Sequence, residues 1–368
     1  MVMSIGIGMI GCGRAASQLH FPVLKTLPGV RVVAVADRME RPLTEIADRY
    51  AIPARYRDYR DLLQDPAVDA VATCVPPELH QVIGLAALEV NKHLFMEKPL
   101  ALSIEQCSNL VRAAESSTVT TMVGFHLRWH RLVQEAHELM NAGGVGTVEM
   151  LRTVFTSGIR WRANLPPWRK CRQEGGGALI ESGVHYYDLW RYLTASEVDE
   201  VQVISRSAEY DDATAVVLGH LKNGVLASAS FCQGTADSLE IDIFGSAGRL
   251  RISGYALNGI CFEPSRHKGL KKLCWKAQSL PGQLLRSARA VSLGGYYADA
   301  YREQWKGFLK AIGSGKPVGA SFADGREATR VALAVTQSAN EHRSVRIADC
   351  VDLIAPVQRS RKEDVAGH

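Results

Sequence analysis

The feature that most constrains this chain is the alternation of short apolar runs with helical patterns over its first 125 residues. MSIGIGMI at 3–10, VRVVAVAD at 30–37, DAVATCVPP at 69–77, HLFMEKP at 93–99 and VTTMVGF at 119–125 are apolar, largely β-branched stretches that read as strands. Between them, SQLHFPVLKTL, RPLTEIADRY, ELHQVIGLAALEV and SIEQCSNLVRAAESS read as helices. The second carries a proline that a first helical turn tolerates, and the last opens with a capping pattern from Ser103 to Gln106. Strands that recur with a helix in each crossover predict a parallel, doubly wound α/β sheet.

Within that frame, Gly11-Cys12-Gly13-Arg14-Ala15-Ala16 is a G-x-G-x-x-A turn that follows a strand and opens a helix. Glycines there permit a tight turn and close backbone approach to a diphosphate seated on the helix N-terminus. Asp37 ends the next strand at about the spacing expected of a ribose-hydroxyl partner. The turn therefore predicts a dinucleotide site. Asp37 would repel a 2′-phosphate and favours NAD over NADP, whereas Arg38 beside it leaves NADP possible.

The chain of 368 residues is 46% hydrophobic and 22% charged, enough for two domains with their own cores. No run approaches the roughly 20 apolar residues that span a bilayer. The opening MVMSIGIGMIGCG reads as a buried strand and not a signal peptide. Eight scattered cysteines form no C-x-x-C pair or metal spacing, so free thiols and a reducing, cytoplasmic setting are expected. A net charge of +5 does not point to nucleic acid.

Several short motifs, in order, resemble the glucose–fructose oxidoreductase / inositol dehydrogenase (Gfo/Idh/MocA) family over nearly the whole chain. Met96-Glu97-Lys98-Pro99 is similar to its E-K-P motif. Cys74-Val75-Pro76-Pro77 followed by His80 resembles its T-P-N-x-x-H turn, with Val75 for the usual Thr and Pro77 for the usual Asn. GFHLRWH at 124–130 resembles the entry to its second domain. Trp168-Arg169, Gly175–Gly177 and Glu181-x-x-x-His185-x-x-Asp188 follow its W-R … G-G-G … [D/E]-x-x-x-H-x-x-D pattern, with Glu at 181 where Asp is commoner. The resemblance implies a Rossmann domain over 1–125 and an α+β substrate-binding and oligomerisation domain over 126–356; the polar tail over 357–368 is expected to be disordered. It also implies a homodimer or homotetramer. Gly11, Cys12, Gly13, Arg14, Ala15, Asp37, Arg38, Cys74, Val75, Pro76, His80, Glu97, Lys98, Trp168 and Arg169 are the expected cofactor-binding residues.

The chemistry can be argued beside the resemblance. Hydride removal from a secondary alcohol needs a base for the hydroxyl proton and a cation against the developing alkoxide. Lys98 stands at the carboxyl end of a parallel strand, where open α/β sheets bind ligands, and is the expected polarising donor. Glu181 and His185 are i,i+4 and share a helix face about 6 Å apart in rise. His185 is then the expected base, with Glu181 as its partner or in direct contact with substrate; the spacing alone also describes an ordinary helix contact. Arg128 is a further candidate for a substrate hydroxyl or carboxylate, or for the cofactor. Asp188 and Arg191 are expected to pair on the helix.

After a helix over 126–142, TVEMLRTVFTS, VDEVQVISRSA, ATAVVLGHL, GVLASASFC, LEIDIFG and GRLRISG read as strands of a mostly antiparallel open sheet, with hairpin chemistry at Asn223-Gly224 and Ser246-Ala247-Gly248. Residues 298–314 and 324–342 read as helices. Residues 265–289 hold seven Lys/Arg and no acid, either a docking face for an anionic substrate or a solvated loop. The expected activity is hydride transfer between NAD(P) and a hydroxyl of a polyol, sugar or sugar derivative. Redox-neutral glycoside cleavage with NAD recycled, and a non-catalytic NAD(P)-binding regulator, are the alternatives.

Overall fold

The computed structural model describes residues 4–158, 165–254, 259–265 and 296–350. Among them, two sheets carry the fold. The first contains β1 (Ile5–Ile10), β2 (Val30–Ala36), β3 (Ala54–Tyr56), β4 (Ala70–Thr73), β5 (His93–Met96) and β6 (Thr121–Val123). Every pairing is parallel, in the order β3-β2-β1-β4-β5-β6. β1 and β4 are buried along almost all of their length, as strands covered on both faces must be. Helices α1 (Phe21–Leu24), α2 (Glu40–Arg49), α3 (Tyr59–Gln64), α4 (His80–Glu89) and α5 (Ile104–Glu115) make the crossovers. The order reverses between β1 and β4, so a crevice opens at their carboxyl ends.

Ser103 caps α5 by accepting from the Gln106 amide, while the Gln106 side chain reaches one residue further back than a strict capping box, to the Leu102 amide. β3 is an edge strand of three residues, too short to show a period in the sequence.

The second sheet is built from β7 (Val148–Ser157), β8 (Val198–Arg206), β9 (Thr214–Leu221), β10 (Leu226–Gln233), β11 (Ser238–Gly245), β12 (Gly248–Ser253), β13 (Ile260–Pro264) and β14 (Val345–Arg346). Its order is β13-β12-β11-β7-β10-β9-β8-β14, antiparallel except where β7 meets β10. The long helical insertion after β7 permits that parallel pairing, which a tight hairpin could not make. Around the sheet lie α6 (Arg131–Asn141), α7 (Pro167–Lys170), α8 (Gly183–Thr194), α9 (Tyr296–Ser314) and α10 (Phe322–Glu341). Along β9 and β10 burial alternates, so one face is apolar and inward. Ala215, Val217, Ala229 and Phe231 on that face share a core with Tyr187 and Trp190 of α8 and Val331 and Val335 of α10. Burying a side chain of that kind is worth roughly 1.5–3 kcal/mol.

α9 follows the second sheet in sequence, but it packs on the first. Tyr301, Trp305 and Phe308 join the first core, where Trp305 stacks on Phe95 at 4.8 Å. The Ala320 carbonyl accepts from the Val123 amide at the end of β6. Val184 of α8 joins the same core, and His185 of α8 packs on Phe125, just after β6. Most of the basic stretch 265–289, and the tail over 357–368, lie outside the described residues. Among the described residues no helix is long and apolar enough to cross a membrane.

Candidate active site

The crevice begins at the glycine turn. Gly11 has φ +94°, and a Cβ there would lie 2.5 Å from the Cys74 carbonyl oxygen, so only glycine lets the turn rest on the end of β4. A Cβ on Gly13 would meet nothing within 4 Å, which leaves room for a ligand to approach the backbone. The Ser17 amide donates to the Gly13 carbonyl and starts the helix there. Asp37 accepts from the amides of Cys12 and Met39, both at 2.8 Å, and so ties the end of β2 to the turn. Arg38 beside it is exposed. Burial pushes the Cys12 thiol up to about 12, with the Asp37 charge adding to it, so this cysteine is not a thiolate. The residues present fit a dinucleotide: an open backbone cradle, a helix start and an acid at the end of the second strand.

Two expected cofactor contacts are instead structural ties. His80 is fully buried, with Nδ1 2.8 Å from the Pro99 carbonyl oxygen and Nε2 3.2 Å from that of Val75. Burial lowers its pKa and keeps the ring neutral, so only one ring nitrogen carries a hydrogen to donate; the shorter contact makes that Nδ1, which ties His80 to the E-K-P turn. Glu97 turns away from the crevice. It contacts His20 Nε2 at 3.0 Å and accepts from the Lys98 amide, while the Trp305 indole donates to His20 Nδ1. That donation fixes the tautomer of His20, whose Nε2–H then faces the carboxylate. Its spacing from the glycine turn shows neither this role for His20 nor the contact from Trp305, and both were missed from sequence.

Lys98 points into the crevice. Its Nζ donates to the Glu181 carbonyl at 2.6 Å and to Glu181 Oε1 at 3.1 Å. Arg169 donates to the same Oε1, and the Ser182 hydroxyl donates to Oε2. Burial opposes ionisation of Glu181, but Arg169 and Lys98 outweigh it and hold the carboxyl well below the usual carboxylate range. Arg169 lies against Trp168, 5.9 Å from the ring centre. The Trp168–Arg169 helix is pressed against the glycine run: a Cβ on Gly176 would sit 2.3 Å from the Trp168 carbonyl. Asp211 pins the same loop through its carboxylate to the Arg172 amide and its carbonyl to the Ala178 amide.

The expected Glu181–His185 contact is not formed. Residues Ala178–Ser182 make a π turn, with the Gly183 amide bonded to the Ala178 carbonyl, and the wider turn breaks the i,i+4 alignment. Two partly buried cations, Lys98 and Arg169, then claim the carboxylate. His185 is buried, its Nδ1 without a hydrogen-bond partner among the described residues, and its ring packs edge-to-face with Phe125 and His126. Burial first, then His126, Lys98 and Arg169, drive its pKa well below the ordinary value, so it is a neutral imidazole.

Arg128 is also corrected. Its guanidinium forks onto Asp188 at 2.8 and 2.6 Å, donates to the Gly319 carbonyl and reaches Asp324. Every arm is engaged inside the protein, so it braces α8 against the start of α10 and does not face substrate. Arg191 stands 3.8 Å from Asp188 but makes its short contacts with Glu197, at 2.6 and 2.7 Å.

A Rossmann-type sheet with a glycine turn, and a partly buried lysine and a buried imidazole at its carboxyl edge beside a second, mixed sheet, is the arrangement of a dinucleotide-dependent oxidoreductase. Residues 5–125 match the Gfo/Idh/MocA model described as an oxidoreductase family with an NAD-binding Rossmann fold, and residues 133–251 match that family's C-terminal domain. The chain belongs to the Gfo/Idh/MocA family. It is 27% identical over 357 residues to the myo-inositol 2-dehydrogenase of Thermotoga maritima, covering 94% of this chain and 99% of that protein. A crystal structure of a probable dehydrogenase from Thermotoga maritima superposes with a TM-score of 0.77 at 25% identity, over 94% of this chain and 100% of the other. The scyllo-inositol dehydrogenase of Lactobacillus casei, solved with NAD(H) and scyllo-inositol, shares the fold with a TM-score of 0.76 at 21% identity, over 94% and 99% of the two chains.

Proposed function

We propose that this protein is an NAD-dependent dehydrogenase that oxidises a secondary ring hydroxyl of a polyol, sugar or sugar derivative, with inositols the first class to test. The observation that carries this reading is the placement of Lys98. The Lys98 ammonium sits just past the carboxyl end of β5, anchored by the Glu181 carbonyl and carboxylate. The inositol 2-dehydrogenase named above, similar over almost its full length, supports the substrate class.

In this mechanism the cofactor's nicotinamide supplies hydride acceptance. The protein does the rest. Lys98 donates to the reacting oxygen and stabilises negative charge as it develops. His185, neutral because it is buried, accepts the hydroxyl proton at Nε2. Glu181 keeps Lys98 charged and fixed, and Arg169 shares that carboxylate. Gly11, Cys12, Gly13, Arg14 and Ala15 form the diphosphate turn. Asp37 would hold the adenosine ribose and favour NAD, while Arg38 could take a 2′-phosphate. Cys74, Val75, Pro76, Trp168 and Arg169 would complete the cofactor's contacts.

The chain is further read as a Rossmann domain over 1–125 and a substrate domain over 126–356, working as a homodimer or homotetramer in the cytoplasm. The test is NADH formation from NAD⁺ with a panel of inositols, aldoses, amino sugars and nucleotide-sugars, for wild type, Lys98→Ala and His185→Ala. Turnover with one class, lost in both variants, supports the reading. NAD binding without NADH from any member of the panel would shift it to redox-neutral glycoside cleavage or to a regulator.

A further inference from the structure

Two π turns supply partners to the E-K-P turn, and such turns recur at functional sites. One is Ala178–Ser182, which carries Glu181 to the Lys98 ammonium. The other is Ala16–His20, just after the glycine turn, with the Phe21 amide bonded back to the Ala16 carbonyl. It delivers His20, fully buried, to within 3.0 Å of Glu97 Oε1. β5 ends at Met96, so the Lys98 amide lies past the strand ladder; it donates instead to Glu97 Oε2 at 3.2 Å. One carboxylate thus joins His20 to the backbone from which the ammonium projects. The chain leaves room for it, because a Cβ on Gly124 would lie 2.9 Å from Oε1. Burial opposes ionisation of Glu97, but His20, Lys98 and His126 outweigh it and keep the group charged. The Trp305 indole donates to His20 Nδ1 at 3.1 Å, so the imidazole hydrogen sits on Nε2, toward the carboxylate. Phe95, Tyr301 and Trp305 hold the ring edge-on. A buried charge is a poor means of gaining stability, since apolar side chains of similar volume commonly do as well. What this one supplies is a fixed point at the base of Lys98.

We propose that His20 is a positioning residue for Lys98: by holding the Glu97 carboxylate it fixes the Lys98 amide, and so aims the ammonium at the reacting oxygen. This rests on the assignment of Lys98 as the donor to that oxygen. No proton moves along the chain of contacts; His20 donates to Glu97, and Glu97 accepts from the Lys98 amide, throughout. The far end of the turn is tied separately, by His80 Nδ1 to the Pro99 carbonyl. Loss of His20 therefore frees Glu97 and Lys98 without unfastening Pro99.

The test compares wild type with His20→Leu, which fills the aromatic cage but cannot hold a carboxylate, and with His20→Gln, whose amide nitrogen can take the place of Nε2. The first readout needs no substrate: crystal structures with NAD bound. We expect Lys98 Nζ in one place in wild type and His20→Gln, and displaced from it in His20→Leu. The same Lys98 position in all three overturns the proposal, whatever reaction the enzyme proves to catalyse. The second readout is turnover per bound NAD with the substrate that wild type oxidises. His20→Leu should keep NAD affinity and lose about 10–100-fold in kcat, the usual penalty of misplacing a reacting group, and His20→Gln should recover most of it. Lys98→Met separates this role from plain stability. If His20 acts through Lys98, adding His20→Leu to Lys98→Met costs no further kcat. Losses that multiply, or an unchanged kcat in His20→Leu, remove the positioning role. Should His20→Leu fail to fold, Glu97→Gln makes the same comparison, because one carboxamide oxygen cannot serve both His20 and the Lys98 amide at their two positions. Lys98 displaced and kcat lowered in that variant supports the proposal; Lys98 and kcat both undisturbed overturns it.

Discussion

At the scale of single residues, the site separates charge that serves chemistry from charge that serves structure. In the proposed mechanism Lys98 is the first kind. Replacing it with Met removes the donor to the developing alkoxide, and a single donor of this type is commonly worth about 10²–10³ in rate. Lys98→Met should therefore lose about that much kcat while melting near the wild-type temperature, since Arg169 still neutralises Glu181. Buried and neutral, His126 and His130 carry no charge near pH 7 and show themselves in acid. Burial carries His126 from 6.5 to about 3 and His130 from 6.5 to about 4. The folded pKa lies below the unfolded one, so between these limits the unfolded chain binds protons that the folded chain refuses. Their stabilisation is complete above about pH 6.5 and is lost as pH falls through that window, at about 1.4 kcal/mol per unit for each group. Melting temperature should thus decline well before carboxylates titrate. His126→Phe should flatten that decline; a slope identical to wild type in a pH series of thermal melts would refute the assignment.

At the scale of elements, Arg128 and Asp188 join a short turn to α8, with Asp324 adding the start of α10. Removing one partner of such a buried pair leaves an uncompensated charge and costs about 3–5 kcal/mol. Arg128→Met should lower the melting temperature by several degrees yet leave KM for substrate unchanged well below it; a selective rise in KM would return Arg128 to the substrate site. This is also where sequence reading reaches its limit. The strands, the glycine turn and the hairpins were legible because each is a local pattern with a local cause: runs of Val and Ile, a glycine at Gly11 that alone fits against Cys74, and Asn223-Gly224 between strands. The choice of partners was not legible. Glu181 and His185 were spaced for an α-helical contact, but the π turn at Ala178–Ser182 and two cations brought from β5 and α7 decided otherwise. For His80, Glu97 and Arg128 the sequence carries no sign of their partners; only three-dimensional packing shows that their contacts are within the protein.

At the scale of the whole molecule, the second sheet has one face too many. Its inner face is covered by α8 and α10, but on the outer face Ile204 is 79% exposed, and Met150, Val216, Leu218 and Leu226 are exposed beside it. The register makes them one surface: Ile204 pairs with Val216, Leu226 pairs with Met150, and Leu218 faces the small Ser228. Apolar side chains scattered singly need no explanation, but a contiguous set on the flat face of an open sheet marks an association site. A second copy laying the same face on this one would cover it, the self-complementary arrangement of a two-fold dimer. The double variant Ile204→Lys/Leu218→Lys places like charges at the centre of that surface without touching either core. Light scattering on the eluting protein should find wild type at a multiple of 40.2 kDa and the variant near 40.2 kDa itself. NAD binding should persist in the dissociated chain, because every residue assigned to the cofactor lies on one copy. A wild type that elutes as a monomer would instead leave this face for a different partner and remove the homo-oligomer from the account.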